Sequence, residues 1–258
     1  MYDYAIRPTP TVPTTRDGIR TISLGEPLHW IGLGVRDFRA APGPSLLYGA
    51  LFAATCWAVM VLSESNPWFV IAYLTGLLLL GSLFATGLYV AARQLDSGGP
   101  VSIPAALRTL ASRRSNLALF AVFLMLIMVA WVRLSALLFA INFDLFSPTI
   151  PGYLEILGGQ GDPSVLVYFV GIGFLLAATV FVTSAVAIPM IVDRDVNPFT
   201  AIATSARAVK RNWPAMLFWA SIIVVLTAFG ISTFFIGFVV LFPVLGYATW
   251  RSYRALVE

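Results

Sequence analysis

Long stretches without a charged side chain are the feature that most constrains this chain. The uncharged stretches cover residues 40–63, 65–92, 115–132, 134–143, 163–192 and 212–250. A helix crosses a hydrocarbon core of about 30 Å with about 20 apolar residues, so most of these stretches can span a membrane. The composition agrees with a membrane protein. The chain has 59% apolar and 11% charged residues, whereas soluble domains average about 45–50% apolar and about 25% charged residues. A water-soluble globular protein, a disordered chain and a disulfide scaffold are all excluded.

The stretches predict an all-α fold. Only Arg133 separates 115–132 from 134–143, so they are taken as one helix, while 212–250 would reach about 58 Å and is expected to fold back at Gly230. Pro189 is expected to kink the fourth helix. The result is a polytopic membrane protein with six transmembrane helices over residues 44–63, 68–91, 117–141, 165–190, 213–229 and 232–252. Residues 1–26 are polar and predict a cytoplasmic tail, followed by a six-helix transmembrane domain over 27–258.

The basic residues predict the orientation. Fifteen of the sixteen Lys and Arg residues lie in the two termini and in the loops after the second and fourth helices, and the sixteenth is Arg133. Since Lys and Arg are enriched in cytoplasmic loops, both termini are predicted to be cytoplasmic, in a bacterial inner membrane. The net charge of +4 then indicates contact with anionic lipid at the cytoplasmic face, and not with nucleic acid.

A short repeat is visible in front of the hairpins. Pro27 opens a segment with apolar residues at offsets that recur after Pro198; they are Leu28, Ile31, Val35 and Phe38 in one segment and Phe199, Ile202, Ala206 and Val209 in the other. Residues 103–114 fit this spacing less well. We interpret the chain as three hairpins, each preceded by a cytoplasmic amphipathic segment. The alternative is that any short amphipathic linker beside a membrane looks like this.

Few residues offer chemistry. The chain has one His and one Cys, which cannot form a zinc or iron–sulfur site, and it contains no Gly-rich phosphate loop or nucleophile elbow. We therefore predict that the protein is not an enzyme and binds no cofactor or metal.

The candidate sites are interaction sites. Arg133 is the one ionisable residue in the interior of a predicted span, and ionisable residues inside a membrane usually have a function. The alternatives are that Arg133 reaches the outer interface, pairs with Asp144 or Glu155, or lines an ion pathway. Asp195 and Asn197 could instead serve to cap the next helix. The predicted interaction residues are Arg133, Trp131, Asp193, Arg194, Asp195, Trp30, Arg36 and Asp37.

Several motifs resemble those of a known family. They are Trp-Ile-Gly-Leu-Gly-Val-Arg-Asp-Phe at 30–38, Ser-Leu-Leu-Tyr-Gly at 45–49, Asp-Arg-Asp-Val at 193–196 and Gly-Tyr-Ala-Thr-Trp-Arg-Ser-Tyr-Arg at 246–254. They resemble a family of predicted integral membrane proteins of unknown function from alphaproteobacteria, some labelled as similar to cytochrome c oxidase subunit I. The resemblance implies a membrane fold over about residues 27–257 and no activity. A haem–copper catalytic subunit needs several histidine ligands, and this chain has one His, so a catalytic oxidase subunit is excluded while association with an oxidase is not.

Three functions remain. The first is a non-catalytic accessory or structural subunit of an energy-transducing membrane complex, respiratory and associated with a cytochrome oxidase. The second is a small-solute or ion transporter or channel, which would need polar groups along a cavity. The third is a membrane scaffold or assembly factor that binds anionic lipid. The expected partners are the lipid bilayer, anionic lipids and other membrane-protein subunits.

Overall fold

The computed structural model describes residues 18–62, 70–141 and 163–257, and these residues form helices. The described part of the chain contains no β-strand; a single antiparallel bridge joins Ile19 to Val257. The all-α prediction is thereby confirmed. The loops predicted to hold Glu64, Asp144 and Glu155 lie outside the described residues.

The helices are numbered here in chain order. Their bounds are α1 Glu26–Ala40, α2 Pro42–Leu62, α3 Val70–Leu79, α4 Gly81–Phe84, α5 Thr86–Asp96, α6 Ile103–Ser112, α7 Arg114–Ile141, α8 Pro163–Ser184, α9 Ala187–Arg194, α10 Pro198–Arg211, α11 Trp213–Ser232 and α12 Phe238–Leu256. An amphipathic helix precedes each of the long apolar helices α2, α7 and α11, as the sequence predicted.

Within the described residues, four segments are long and apolar enough to cross a membrane. They are Pro42–Leu62, Arg114–Leu137, Val170–Arg194 and Trp213–Ser232. The other two predicted spans have a different form. Of the predicted span 68–91, the described residues 70–91 fall on α3, α4 and α5, which break near Leu80 and Ala85. The predicted span 232–252 falls largely on α12, whose last turns carry Arg251 and Arg254.

The break between α8 and α9 shows why the chain departs from a straight helix. Pro189 has no backbone N–H for the carbonyl four residues earlier, and the helix is interrupted at that point, at Ala185 and Val186. Ser205 of α10 compensates: its Oγ donates to the Val182 carbonyl oxygen (2.8 Å) and accepts from the Val186 N–H (3.2 Å). Buried backbone groups at a helix break need such partners, so α10 is fastened to α8 and α9 here.

The reversal between α11 and α12 lies later than predicted. Gly230 is inside α11, and a Cβ there would come within 2.5 Å of the Phe238 ring. The turn falls instead at residues 233–237, where Phe234 and Phe235 adopt left-handed conformations with φ of 52° and 66°. The Trp57 indole N–H donates to the Phe234 carbonyl (3.0 Å). Gly230 is therefore a packing residue, because it lets α12 approach α11.

The last helix, α12, packs against α1, α2 and α5 at places where glycine removes a side chain. A Cβ on Gly34 of α1 would lie 2.6 Å from the Val244 carbonyl oxygen, and one on Gly246 would lie 2.6 Å from a Leu88 methyl group of α5. Between α2 and α12, the rings of Phe52 and Phe242 stack at 3.9 Å. Close approach of this kind is how helices associate within membranes.

In the amphipathic helices α1 and α10, the most deeply buried residues lie beside the apolar residues that form the repeat in the sequence. In α1 the buried residues are Pro27, Trp30, Gly34 and Asp37, and in α10 they are Pro198, Ala201, Thr204, Ser205 and Ala208. The predicted apolar stripes begin one residue later in each helix, and their first members, Leu28 and Phe199, are 60% and 80% exposed. The buried residues are mostly small, but they include Trp30 and three polar residues, Asp37, Thr204 and Ser205.

Candidate functional site

The first polar cluster joins Arg251 of α12 to two aspartates and a tryptophan. The Arg251 guanidinium donates to both carboxylate oxygens of Asp37, from Nε at 2.7 Å and from Nη2 at 2.8 Å, and its third nitrogen, Nη1, pairs with Asp96. Asp96 also accepts from the Trp250 indole N–H (2.8 Å). A forked guanidinium is the side chain best suited to hold two carboxylates at fixed angles. Arg251 thus joins α1, α5 and α12.

Burial governs the behaviour of Asp37. The residue is 6% exposed, and burial raises the pKa of its carboxyl group above the ordinary value, although Arg251 acts in the opposite direction. A carboxylate in such a place is costly unless it is paired and hydrogen-bonded, and Arg251 supplies both.

A second cluster is centred on Asp193 at the end of α9. The Tyr253 hydroxyl donates to Asp193 Oδ2 at 2.7 Å, and Arg93 Nε lies 3.4 Å from Oδ1. Arg194 and Arg254 approach Oδ2 at 3.8 Å each. This cluster joins α5, α9 and α12.

A third cluster is centred on Asp195, which ends α9 in a left-handed conformation with φ of 54°. Its carboxylate pairs with Arg113 Nη1 at 2.7 Å and accepts from Asn116 Nδ2 at 3.0 Å. These hydrogen bonds lower the pKa of Asp195. The interpretation of Asp195 as a helix cap is wrong, since the cap of α10 is Asn197, whose side chain accepts from the Phe199 N–H; Asp195 turns toward the junction of α6 and α7 instead.

The two predicted tryptophans are packing residues in this structure. Trp30 of α1 is buried and meets Trp219 of α11 edge to face, with ring centroids 5.6 Å apart. Trp131 of α7 is buried, donates to Thr75 Oγ1 at 2.7 Å, and lies against Gly173, where a Cβ would be 3.0 Å from its ring. Trp131 therefore connects α7 with α3 and α8.

The predicted arginines are exposed. Arg36, Arg133 and Arg194 all lie on the protein surface, and Arg194 stands 6.0 Å from the centre of the Tyr253 ring. Arg133 has no ion pair with any carboxylate of the described residues. The partners considered for it from sequence, Asp144 and Glu155, lie outside those residues.

The structure thus brings some of the predicted interaction residues together in the polar clusters, and it adds residues that were not predicted. Asp37, Asp193 and Asp195 form the centres of the clusters, whereas Arg36 and Arg133 stand apart. The residues that sequence reasoning missed are Arg251, Asp96 and Tyr253. One signal could have found Arg251: Asp37 shares a helical spacing with Trp30 and Gly34, so it belongs to a buried face and needs a buried cation.

The clusters pair acidic with basic side chains. Each aspartate of residues 18–62, 70–141 and 163–257 contacts an arginine. No group of three His, Cys, Asp or Glu side chains that could hold a metal ion occurs within those ranges. The arrangement can fix helix ends relative to one another, and it offers a basic surface.

Comparison with known proteins gives one match. The profile of a family described as "Predicted integral membrane protein (DUF2189)" matches residues 70–193. The chain is an integral membrane protein. The match begins in α3 and ends in α9, one residue before the end of that helix. It includes Arg93 and Asp193 of the second cluster, the candidate span Arg114–Leu137 and all but the last residue of Val170–Arg194. No curated protein and no solved structure matches the chain significantly.

Proposed function

We propose that this integral membrane protein is a non-catalytic structural subunit, which acts by assembling with other membrane proteins. The observation that carries the proposal is the state of the described aspartates. Asp37, Asp96, Asp193 and Asp195 each contact an arginine, so none is free to serve as a general base or a metal ligand. Side chains of this kind connect helices, and catalysis requires groups that can change their protonation or ligation.

The six-span topology with both termini in the cytoplasm is part of the same proposal. Residues 65–92 and 212–250 are uncharged over lengths that exceed what one crossing requires. The remaining two spans would be α3 to α5 and α12. The one-sided distribution of Lys and Arg supports a cytoplasmic position of the clusters in a bacterial inner membrane.

Arg133 is the proposed contact to another subunit. It is exposed on α7, inside the candidate span Arg114–Leu137. An arginine that faces lipid is costly and acquires a carboxylate or reaches the interface. We propose that a neighbouring subunit supplies this carboxylate.

The proposed assembly is an energy-transducing complex of the respiratory type. Its support is the resemblance to a family in which some members carry an oxidase-like label. Native membranes should be extracted in a mild detergent and separated by size, with absorbance read at the haem bands. We expect this chain to migrate with haem-containing subunits. A homogeneous particle of this chain alone that carries ions across liposomes would overturn the proposal and favour the transporter.

Two matched variants test the contact. Arg133→Gln removes the charge near the outer end of α7, and Arg114→Gln removes an equally exposed charge at its other end. We expect the first to reduce the assembled fraction at least about threefold, which is the effect of losing one partly desolvated ion pair, and the second to leave it unchanged. Equal assembly of both variants would show that Arg133 is not the contact.

A further inference from the structure

Two of the amphipathic helices expose the same pattern of side chains. In α1, the exposed Leu28 is followed by Arg36 and Arg39; in α10, the exposed Phe199 is followed by Arg207 and Lys210. The basic residues stand eight and eleven positions after the apolar one in both helices. At about 100° per residue, the apolar residue and the second cation share one side of the helix. We call these sets the α1 basic face and the α10 basic face.

Both helices lie at the ends of the apolar helices. Trp30 of α1 contacts Trp219, the seventh residue of α11, which is about 9 Å along that helix from its first residue. In α10, Ser205 is bonded to the break between α8 and α9, and only Asn212 separates α10 from α11. The basic faces are therefore at the level where the spans leave the hydrocarbon core.

The charges of the two faces form no ion pair within residues 18–62, 70–141 and 163–257. Arg36, Arg39, Arg207 and Lys210 form no ion pair with a described carboxylate, and the nearest acidic group to Arg36, Asp37, is occupied by Arg251. Arg207 donates only to the Ala203 carbonyl and the Thr204 hydroxyl. Each face thus presents two cations next to a bulky apolar side chain that the protein leaves uncovered.

We propose that the α1 and α10 basic faces each bind the headgroup of an anionic phospholipid from the surrounding membrane. Leu28 and Phe199 insert at the boundary between headgroups and acyl chains, and the basic pair contacts the phosphate and any further negative charge of the lipid. Helices with an apolar side, a basic side and low overall hydrophobicity lie in the interface in this way. The proposal rests on the position of the two helices in the membrane and does not depend on the structural-subunit function.

Native mass spectrometry of the purified full chain in a nonionic detergent provides the test, because it resolves individual bound lipids. Phosphatidylglycerol and phosphatidylcholine with identical acyl chains are titrated separately. We expect two phosphatidylglycerol molecules to bind more tightly than any phosphatidylcholine, and this preference to weaken as ammonium acetate is raised, since salt screens exposed charges.

Matched double variants locate the sites. We expect Arg36→Gln with Arg39→Gln, and Arg207→Gln with Lys210→Gln, each to weaken one of the two tight binding events by about fivefold for each charge removed. The control is Arg108→Gln with Arg114→Gln, which removes two exposed charges around the third amphipathic helix, α6, and should keep both events. An unchanged thermal midpoint in detergent confirms that each variant is folded.

A further variant and a competitor separate the two parts of the site. Phe199→Ser should weaken the binding of both lipids to the same degree, because the variant keeps the cations in place. Glycerol 3-phosphate should not compete, because it has no acyl chain. Equal binding of the two lipids by the wild-type chain would overturn the proposal. Double variants that behave as the control does would also overturn it, and would assign the preference to general basicity. Displacement of the lipid by glycerol 3-phosphate would overturn it too, and would assign the site to a soluble phosphate.

Discussion

At the scale of single residues, Arg251 connects three of the described helices, α1, α5 and α12. It is half-buried, forms a forked contact with the buried Asp37 and pairs with Asp96. A buried pair of this kind adds little net free energy compared with apolar packing, but removing one partner leaves a buried charge without compensation. Removing Arg251 is therefore expected to destabilise the protein by more than the net free energy of the ion pair.

Replacing Arg251 tests this directly. We expect Arg251→Gln to lower the free energy of unfolding by about 3 kcal/mol, measured by denaturation in mixed micelles. Arg254→Gln is the control, because Arg254 is more exposed and stands 3.8 Å from Asp193, and exposed pairs contribute under about 1 kcal/mol. The double variant Asp37→Asn with Arg251→Gln should be more stable than Arg251→Gln alone, since the buried residue 37 then carries no unpaired charge; Asp96, which is more exposed, keeps its hydrogen bond from Trp250. Equal losses in the two single variants would contradict the role assigned to Arg251.

The pKa values of two arginine-paired aspartates are shifted in opposite directions. Burial raises the pKa of Asp37 above 3.8, while hydrogen bonds from Asn116 and Arg113 lower that of the exposed Asp195. The lowered pKa of Asp195 stabilises the fold above pH 3.8, and this stabilisation is lost as the pH falls through the folded value. The raised pKa of Asp37 has the reverse sign, so its contribution falls as the pH rises just above 3.8. Carboxyl 13C NMR of labelled aspartates would show this order, and Asp195 titrating above Asp37 would refute it.

At the scale of elements, the contact between α1 and α12 depends on the absence of a side chain. Gly34 faces the Val244 carbonyl oxygen and the Ala248 N–H region, both of which are backbone. The backbone of a packed helix cannot yield as a flexible side chain can, so a methyl group must displace the whole helix. The same displacement would pull Asp37, three residues further along α1, away from Arg251.

A pair of alanine variants tests this contact. We expect Gly34→Ala to cost about 1–3 kcal/mol, the usual penalty for overpacking. Gly32→Ala, two residues away, meets nothing within 4 Å and should stabilise by up to about 1 kcal/mol through helix propensity. Thermal unfolding in detergent measures both. A neutral Gly34→Ala would mean that α1 does not lie tightly against α12.

At the scale of the whole molecule, distant parts of the chain are fastened together beside the basic helices. The Asn212 side chain accepts from the Ile22 N–H and donates to the Arg20 carbonyl, each at 2.9 Å, and the Arg20 N–H donates to the Leu256 carbonyl at the end of α12. The polar segment before α1 and the end of the last helix are thus on the same side of the molecule. This arrangement agrees with the proposed common location of both termini.

Cysteine accessibility tests the proposed topology. In a Cys56→Ser background, single cysteines at Ser97 and Ser112 should react with an impermeant maleimide only after the cells are permeabilised. A cysteine at Ser147, in the predicted outer loop, should react in intact cells. Ser97 and Ser112 are exposed in the structure, so lack of reaction in intact cells reports the side of the membrane and not burial. Labelling of all three positions in intact cells would contradict the orientation.

The hydropathy pattern predicts the class of the protein and the extents of three of its four longest described helices; the exception is α8, which ends at Ser184 before the predicted boundary at residue 190. Helices α2, α7 and α11 lie within about three residues of the predicted spans at nearly every boundary, because hydropathy and proline positions act locally. The tertiary structure alone decided which faces meet. Asp37 pairs with a residue 214 positions away, and the buried faces of α1 and α10 are rotated by one residue from their apolar stripes. Which faces of two helices meet depends on how closely the helices can approach each other, and this distance cannot be predicted from the periodicity of one helix.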